Sequence, residues 1–404
     1  MVQKRNRHLK PRVGQGEIMG PLDGIRIIEL AGLGPAPFGC MMLADMGAEV
    51  IRVERPGPGM FPEVDPLSRN RQSIACDLKD PAAVEIVRKL VATADGFVEG
   101  FRPGVTESLG LGPDDLLAVN PKLAYGRMTG WGQEGPLAKA AGHDLNYVAL
   151  TGTLNLIGEK GRKPVPPLNL VADFGGGGML LAFGMVCAIL HARATGEGQV
   201  VDAAMVDGVT ALSSVFHALK AMNLLDEGPG ASILGGAAHW YDNYETKDGR
   251  YISIGSLEPQ FYELMIEKLE LDREKFAPHV FNWQLNDDVR AAWDELKPLV
   301  AEAVRKKTLA EWRERLEGTD VCFAPVLTID EAAEHPHNVA RGTFVRVGEH
   351  LQAAPTPRFS GTPNAAPRSG VAPGSDTRDV LEAAGYSVED IDALIGSGVV
   401  QAAG

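Results

Sequence analysis

The chain has 404 residues, of which 45% are apolar, 6% aromatic and 23% charged, so it can bury two or three domain cores and is neither disordered nor collagen-like. Fifty-three acidic against 39 basic side chains leave a formal charge of −14. That balance argues against nucleic acid or an anionic membrane as the main partner, while a local cluster of Arg, Lys and helix N-termini still suits a small anion.

Residues 1–18 are basic without an apolar core and are expected to form a disordered extension, not a secretory signal. Residues 24–30 (GIRIIEL) read as a strand, residues 31–48 carry helical periodicity, and residues 49–53 read as a second strand. This βαβ unit implies neighbouring parallel strands. Asp80 followed by Pro81 predicts an N-cap with proline in the first turn of a helix, and strands are expected at 96–98 and 123–129. The alternation predicts an α/β fold, a Rossmann-like large domain with a parallel sheet. The apolar run 179–192 is too short for a bilayer and contains His191, so a buried helix is expected, then a strand over 199–208.

From about residue 209 the pattern changes to a long helix and a glycine-rich loop at 228–236. A hairpin follows with the turn Lys247-Asp248-Gly249-Arg250, then helices near 260–269, 289–301 and 309–316, which read as a smaller α+β domain. The stretch 353–376 is rich in Pro and Gly. Ser387 and Asp390 form a capping-box pattern before a last helix. The four cysteines, Cys40, Cys76, Cys187 and Cys322, are far apart with no Cys-x-x-Cys, as in a reduced, cytoplasmic chain without structural zinc.

Several chemistries are disfavoured. Gly32, Gly34 and Gly39 with Glu54 echo a dinucleotide fingerprint, but the spacing is not G-x-G-x-x-G and two prolines interrupt it. Gly175–Gly178 is followed by no Lys-Ser/Thr; its amides suit either an anion or close helix packing. His335 and His337 form no metal motif, and no G-x-S-x-G elbow occurs. What remains is His143 and Asp144, Asp173, and Glu258, polar residues in apolar or glycine-rich surroundings. Each also reads as a helix cap, and spacing alone does not choose.

The segments PLDGIRIIELAGLGPAPF, GAEVIRVERP, CDLKDP, VEGFRPGV, GRMTGWGQEGPL, AGHDLNYVAL, PPLNLVADFGGGG, GQVVDAAMVDG and SLEPQFY, in this order, resemble the family III CoA-transferases. His143 in the Gly-His-Asp block, and Glu-Gly-Phe-Arg-Pro-Gly in place of Glu-Asn-Phe-Arg-Pro-Gly, resemble its racemase branch. The resemblance implies epimerisation of 2-methylacyl-CoA thioesters through an enolate, with His143 and Asp173 as the two acid–base groups and Glu258 orienting His143. A CoA-transferase using Asp173 as nucleophile and a non-catalytic acyl-CoA-binding protein are the alternatives. CoA binding is implied for Arg55, for Cys76, Asp77, Leu78 and Lys79, and for Gly100, Phe101 and Arg102. At the thioester end it is implied for Gly142, Asp144, Leu145, Asn146 and Tyr147, with backbone amides near His143–Asp144 facing the enolate oxygen. Cys76 replaces the family's Ala, and Ser108 stands where a related racemase has Arg.

The family pattern further implies an interlocked homodimer in which Glu258 reaches His143 across subunits. It divides the chain into a large CoA-binding domain from 19–208, a connector 209–240, a small domain 241–330, and a connector with C-terminal return over 331–404. No metal or redox cofactor is expected, CoA being part of the substrate. Neither nucleic acid nor membrane is expected as a partner. A cytoplasmic location is expected from the cysteine usage, lipid metabolism is the expected setting, and the C-terminal Ala-Ala-Gly is no peroxisomal address.

Overall fold

The computed structural model describes residues 20–58, 65–281 and 285–403; the extension expected over 1–18 lies outside them. The described residues form two compact units, one drawn from 20–147, 169–211 and 341–403, the other from 148–168 and 212–340. The segment 148–168, expected within the large domain, packs instead with the second unit, where Lys160 pairs with Asp294. Most of the expected connector 209–240 also belongs there.

The first unit is built on a seven-stranded sheet. In chain order its first six strands are β1 (Arg26–Leu30), β2 (Glu49–Glu54), β3 (Gln72–Cys76), β4 (Gly96–Glu99), β5 (Ala124–Thr129) and β6 (Gln199–Ala204). Their spatial order is β3-β2-β1-β4-β5-β6, all parallel, with the final strand Val400–Gln401 antiparallel on the β3 edge. Residues 205–208, expected to continue β6, instead begin the helix Met205–Leu212.

Helices cover both faces, which is why β1 and β4 read as nearly unbroken apolar runs. On one face Ile28, Leu30, Val53, Phe97 and Tyr125 pack against Ile86, Val87 and Leu90 of α2 (Pro81–Val91) and against Leu381 and Ile391 near the C-terminus. The sequence signals for these helices hold. Asp80 accepts from the amide of Ala82 with Pro81 in the first turn, and Ser387 and Asp390 complete a reciprocal capping box.

The other face carries α1 (Pro35–Asp45) and a long apolar helix. The latter begins as a π-helical segment, Leu170–Met179, and runs on as α-helix Leu180–Thr195. It reaches the sheet because β5 offers Gly126, where an added Cβ would lie 2.6 Å from Met185 Sδ. The combined 26 residues are long and apolar enough to cross a membrane, unlike the shorter run expected from sequence; 44% of the most apolar window is buried and Phe183 and Leu190 are exposed. The expected buried helix is therefore buried on one face only.

The second unit holds the expected hairpin, β7 (Tyr241–Glu245) and β8 (Tyr251–Gly255), turned at Gly249 with φ 72° and extended by β9 (Phe323–Pro325). The long helix expected from residue 209 is broken into Met205–Leu212 and Ser214–Ala221. Trp240, Tyr262, Phe276, Trp293 and Trp312 fill its core. Within it His239 is buried, Nε2 lying 2.7 Å from Tyr262 Oη, and burial depresses its pKa to about 3.

Candidate active site

The strand order reverses between β1 and β4, and in a sheet of this kind the loops leaving such a pair diverge and open a crevice at the strands' C-terminal ends. After β1 the chain passes through Gly32 and Gly34 into α1. After β4 it passes through Gly100, Phe101 and Arg102 into α3 (Val105–Ser108). At its base the chain after β4 touches the first turn of α1, a Cβ on Gly100 falling 3.3 Å from that of Ala36. Asp173 stands over the first loop, with its Oδ2 3.4 Å from the position of a Cβ on Gly34.

Asp173 is held there by its own helical segment. Gly178 packs backbone to backbone on α1, an added Cβ falling 2.6 Å from the carbonyl oxygen of Pro35. The rings of Phe38 and Phe174 stack 4.7 Å apart across the same seam. The glycine run is thus interior to a helix and serves close packing, the second of the two readings its sequence allowed.

His143 precedes the helix Asp144–Leu150 and caps it through its backbone. Its carbonyl accepts from Asn146 and Tyr147, and its amide donates to Asn146 Oδ1 at 3.0 Å. The imidazole takes no part in that capping and is exposed. The amide of His143 is consequently committed to the cap. Asp144 is buried and does not cap its own helix; its Oδ2 accepts from the amides of Ala172 and Asp173 at 2.7 and 2.8 Å. Tyr147 lies buried edge-on to Trp131, with ring centroids 4.7 Å apart, its ring against Gly130 and Gly142.

The electrostatics follow from this packing. Burial pushes the Asp173 carboxyl above the usual carboxylate range. A 3.4 Å hydrogen bond from Asn169 opposes the shift, the charge of Asp144 adds to it, and His143 opposes it. His143 and Asp173 thus lie within each other's field.

The remaining candidates lie along the same C-terminal edge of the parallel strands. Arg55 follows β2, Cys76 ends β3 and leads to Asp77, Leu78 and Lys79, and Gly100 to Arg102 follow β4. Arg55, Lys79 and Arg102 are exposed. Cys76 is buried, and burial raises its thiol to about 12. Asp77 donates its amide to Val399, so that group is committed to the fold. Leu145 and Asn146 are exposed beside His143. Ser108 ends α3 and donates its hydroxyl to the carbonyl of Val105. Glu258 belongs to the second unit, at the N-cap of the helix Pro259–Lys268; its side chain makes no capping bond and is exposed, so the cap reading does not apply to its carboxylate.

Two features escaped the sequence reading. One is the grip of Asp144 on Asp173, 29 residues away, for which no local pattern exists. The other lies behind the 100–102 loop. Arg127 Nε meets Glu99 Oε1 at 3.0 Å, its Nη1 meets Glu107 at 2.9 Å, and the other oxygen of Glu99 accepts from the amide of Phe101 at 2.7 Å. An arginine inside the apolar strand LAYGRMT was the available signal of a buried partner.

CoA-transferase family III matches residues 22–377. The alpha-methylacyl-CoA racemase of Mus musculus is 44% identical over 383 residues, covering 94% of this chain and 97% of the mouse protein. The human protein of the same name is 42% identical with the same coverage. Among solved structures, a CAIB/BAIF family protein from Brucella suis superposes with a TM-score of 0.77 at 24% identity, over 91% of this chain and 100% of that one, a likeness of fold.

Proposed function

The chain belongs to CoA-transferase family III, and from that premise we propose that it is an isomerase, a racemase that interconverts 2R and 2S 2-methylacyl-CoA thioesters by 1,1-proton transfer. The observation that supports this reading is that burial pushes the Asp173 carboxyl above the usual carboxylate range while His143 acts on it electrostatically. To invert a carbon next to a thioester carbonyl, one group removes the α-proton and another returns a proton to the opposite face of the planar enolate. A neutral imidazole with a protonated carboxyl, or an imidazolium with a carboxylate, supplies such a pair, and each turnover exchanges the two states.

In this reading the amides of Asp144 and Leu145, at a helix N-terminus, face the enolate oxygen. Arg55, Lys79 and Arg102 meet CoA phosphates, residues 76–79 hold the adenine, and Gly142, Asn146 and Tyr147 border the thioester. CoA arrives as part of the substrate, and the reaction calls for no metal or redox group.

The proposal extends to a cytoplasmic homodimer acting in lipid metabolism. Helix Leu180–Thr195 carries large apolar side chains on its outer face too, Phe183 being 67% and Leu190 63% exposed, and β6 is an edge of the sheet. Apolar surface of this kind favours a partner. A second subunit would bring its Glu258 to the imidazole.

The test is to incubate a single 2-methylacyl-CoA epimer in D₂O without an acceptor acid. The wild type is expected to incorporate α-deuterium and lose stereochemical purity. His143→Ala and Asp173→Asn each reduce exchange about 10²–10⁴-fold. Absence of α-exchange, with a new CoA thioester formed once a carboxylate acceptor is added, would point to CoA transfer through Asp173, and binding without either reaction would leave a carrier.

A further inference from the structure

We propose that the side chain of Asp144 is a positioning residue for Asp173, fixing the backbone from which its carboxyl departs and setting a second acidic group beside it. The inference rests on the proton-transfer reading above and assigns Asp144, expected only as a substrate-binding residue, a second task. The first turn of a helix leaves amides without intrahelical partners, and a carboxylate is favoured there by both hydrogen bonding and the helix dipole. In the segment Leu170–Met179 those amides include Ala172 and Asp173, and both point at one oxygen of Asp144. Charge-assisted bonds to two successive amides fix the backbone from which the Asp173 side chain departs. The geometry makes Asp144 the N-cap of a helix to which it does not belong.

The other oxygen is informative as well. Asp144 Oδ1 is buried and has no hydrogen-bond partner among the described residues. A residue needed only as a cap would be served by a neutral Ser or Asn. Here a charge is kept beside a second, half-buried carboxyl. Two like charges in one low-dielectric site disfavour each other, so the neighbouring Asp144 adds to the upward shift that burial gives the Asp173 carboxyl. The groups that face Asp173 are Asn169 from its own segment, Gly34 from the entry to α1, His143, and Asp144 and Tyr147 from the helix Asp144–Leu150. Arg102 acts on Tyr147 from the loop after β4. Within this set Asp144 is the charge that opposes ionisation of Asp173, whereas His143 favours it.

The test uses the full chain and the pH dependence of α-proton exchange, for wild type, Asp144→Asn and Asp144→Glu. Asp173 is titrated in parallel through its carboxyl infrared band, identified by its loss in Asp173→Asn. Asp144→Asn keeps an oxygen for the two amides and removes the charge. Its Asp173 titration and the matching limb of the rate profile are expected to move to lower pH, with a rate within about tenfold of wild type at the optimum. Asp144→Glu keeps the charge and displaces the acceptor; exchange is expected to fall about 10²-fold with the Asp173 titration still at wild-type pH. A folded Asp144→Asn protein that titrates like wild type, or Asp144→Glu at full rate, overturns the inference. If the Asn variant does not fold, the Glu variant decides it: full exchange there overturns the proposal, and the loss described supports it. Failure of the wild type to exchange at all would sink the proton-transfer reading instead, while the infrared titration still reports on Asp144.

Discussion

Replacing Gly178 by alanine tests whether the backbone seam between α1 and the Leu170–Met179 segment is what holds the candidate carboxyl. An added Cβ would lie 2.6 Å from the Pro35 oxygen, 2.7 Å from Phe38 Cδ1 and 3.1 Å from the Gly39 nitrogen. Two of these three atoms are backbone, so the helices themselves must separate, by about 0.5 Å or more, to restore ordinary contact in a close-packed interior. Overpacking of this sort costs about 1–3 kcal/mol, or a melting temperature lowered by about 3–10 °C in a unit of this size. The shift is carried to Asp173, five residues along the same segment, and misplacing an acid–base group by up to an ångström costs about 10²-fold in rate. Melting curves and α-proton exchange of Gly178→Ala are to be compared with Gly361→Ala, where nothing lies within 4 Å of the new methyl and no change is expected. If Gly178→Ala melts and exchanges like wild type, the seam is not the support described here.

Two further outcomes follow from buried charges. Arg127→Ala leaves Glu99, already pushed up to about 7 by burial, without its cation and slackens the loop that carries Phe101 and Arg102. We expect a loss of about 3–5 kcal/mol in thermal unfolding, partly recovered in the double variant with Glu99→Gln, and a raised KM for acyl-CoA. His239, with its pKa depressed from 6.5 to about 3, contributes stability that is fully present above pH 6.5 and is lost as pH falls toward 3. His239→Gln should flatten the acid-unfolding curve over that window, and an unchanged curve would show that the ring is not the acid-sensitive group.

Local signals made much of the fold legible. The β1–α1–β2 unit, the Asp80–Pro81 helix start, the 247–250 hairpin turn and the Ser387–Asp390 box each depend on residues a few positions apart. The misses were set at long range. Strand β3 (QSIAC) carries a single β-branched residue and is a strand because β2 offers it a neighbour. Four consecutive glycines read as a lead-in to a helix, yet they lie inside one, with Gly177 and Gly178 packed on α1 and Gly176 on the helix Met205–Leu212. The site was legible only through the family resemblance. A His before a helix and an Asp before a glycine run are each ordinary caps, and the bond between the 144 carboxylate and the 173 amide leaves no trace in spacing.

The returning tail has a consequence for how the protein is made. The edge of β3 is closed by Val400–Gln401, which pairs with Cys76 and Ala75, and the amide of Asp77 is met by Val399. A ribosome therefore releases β3 some three hundred residues before the strand that seals it. Throughout that interval the nascent first unit offers a bare, parallel-strand edge to any extended chain nearby. Chaperone shielding of that edge, rather than the chemistry of the crevice, would then govern how much enzyme a cell obtains from its message.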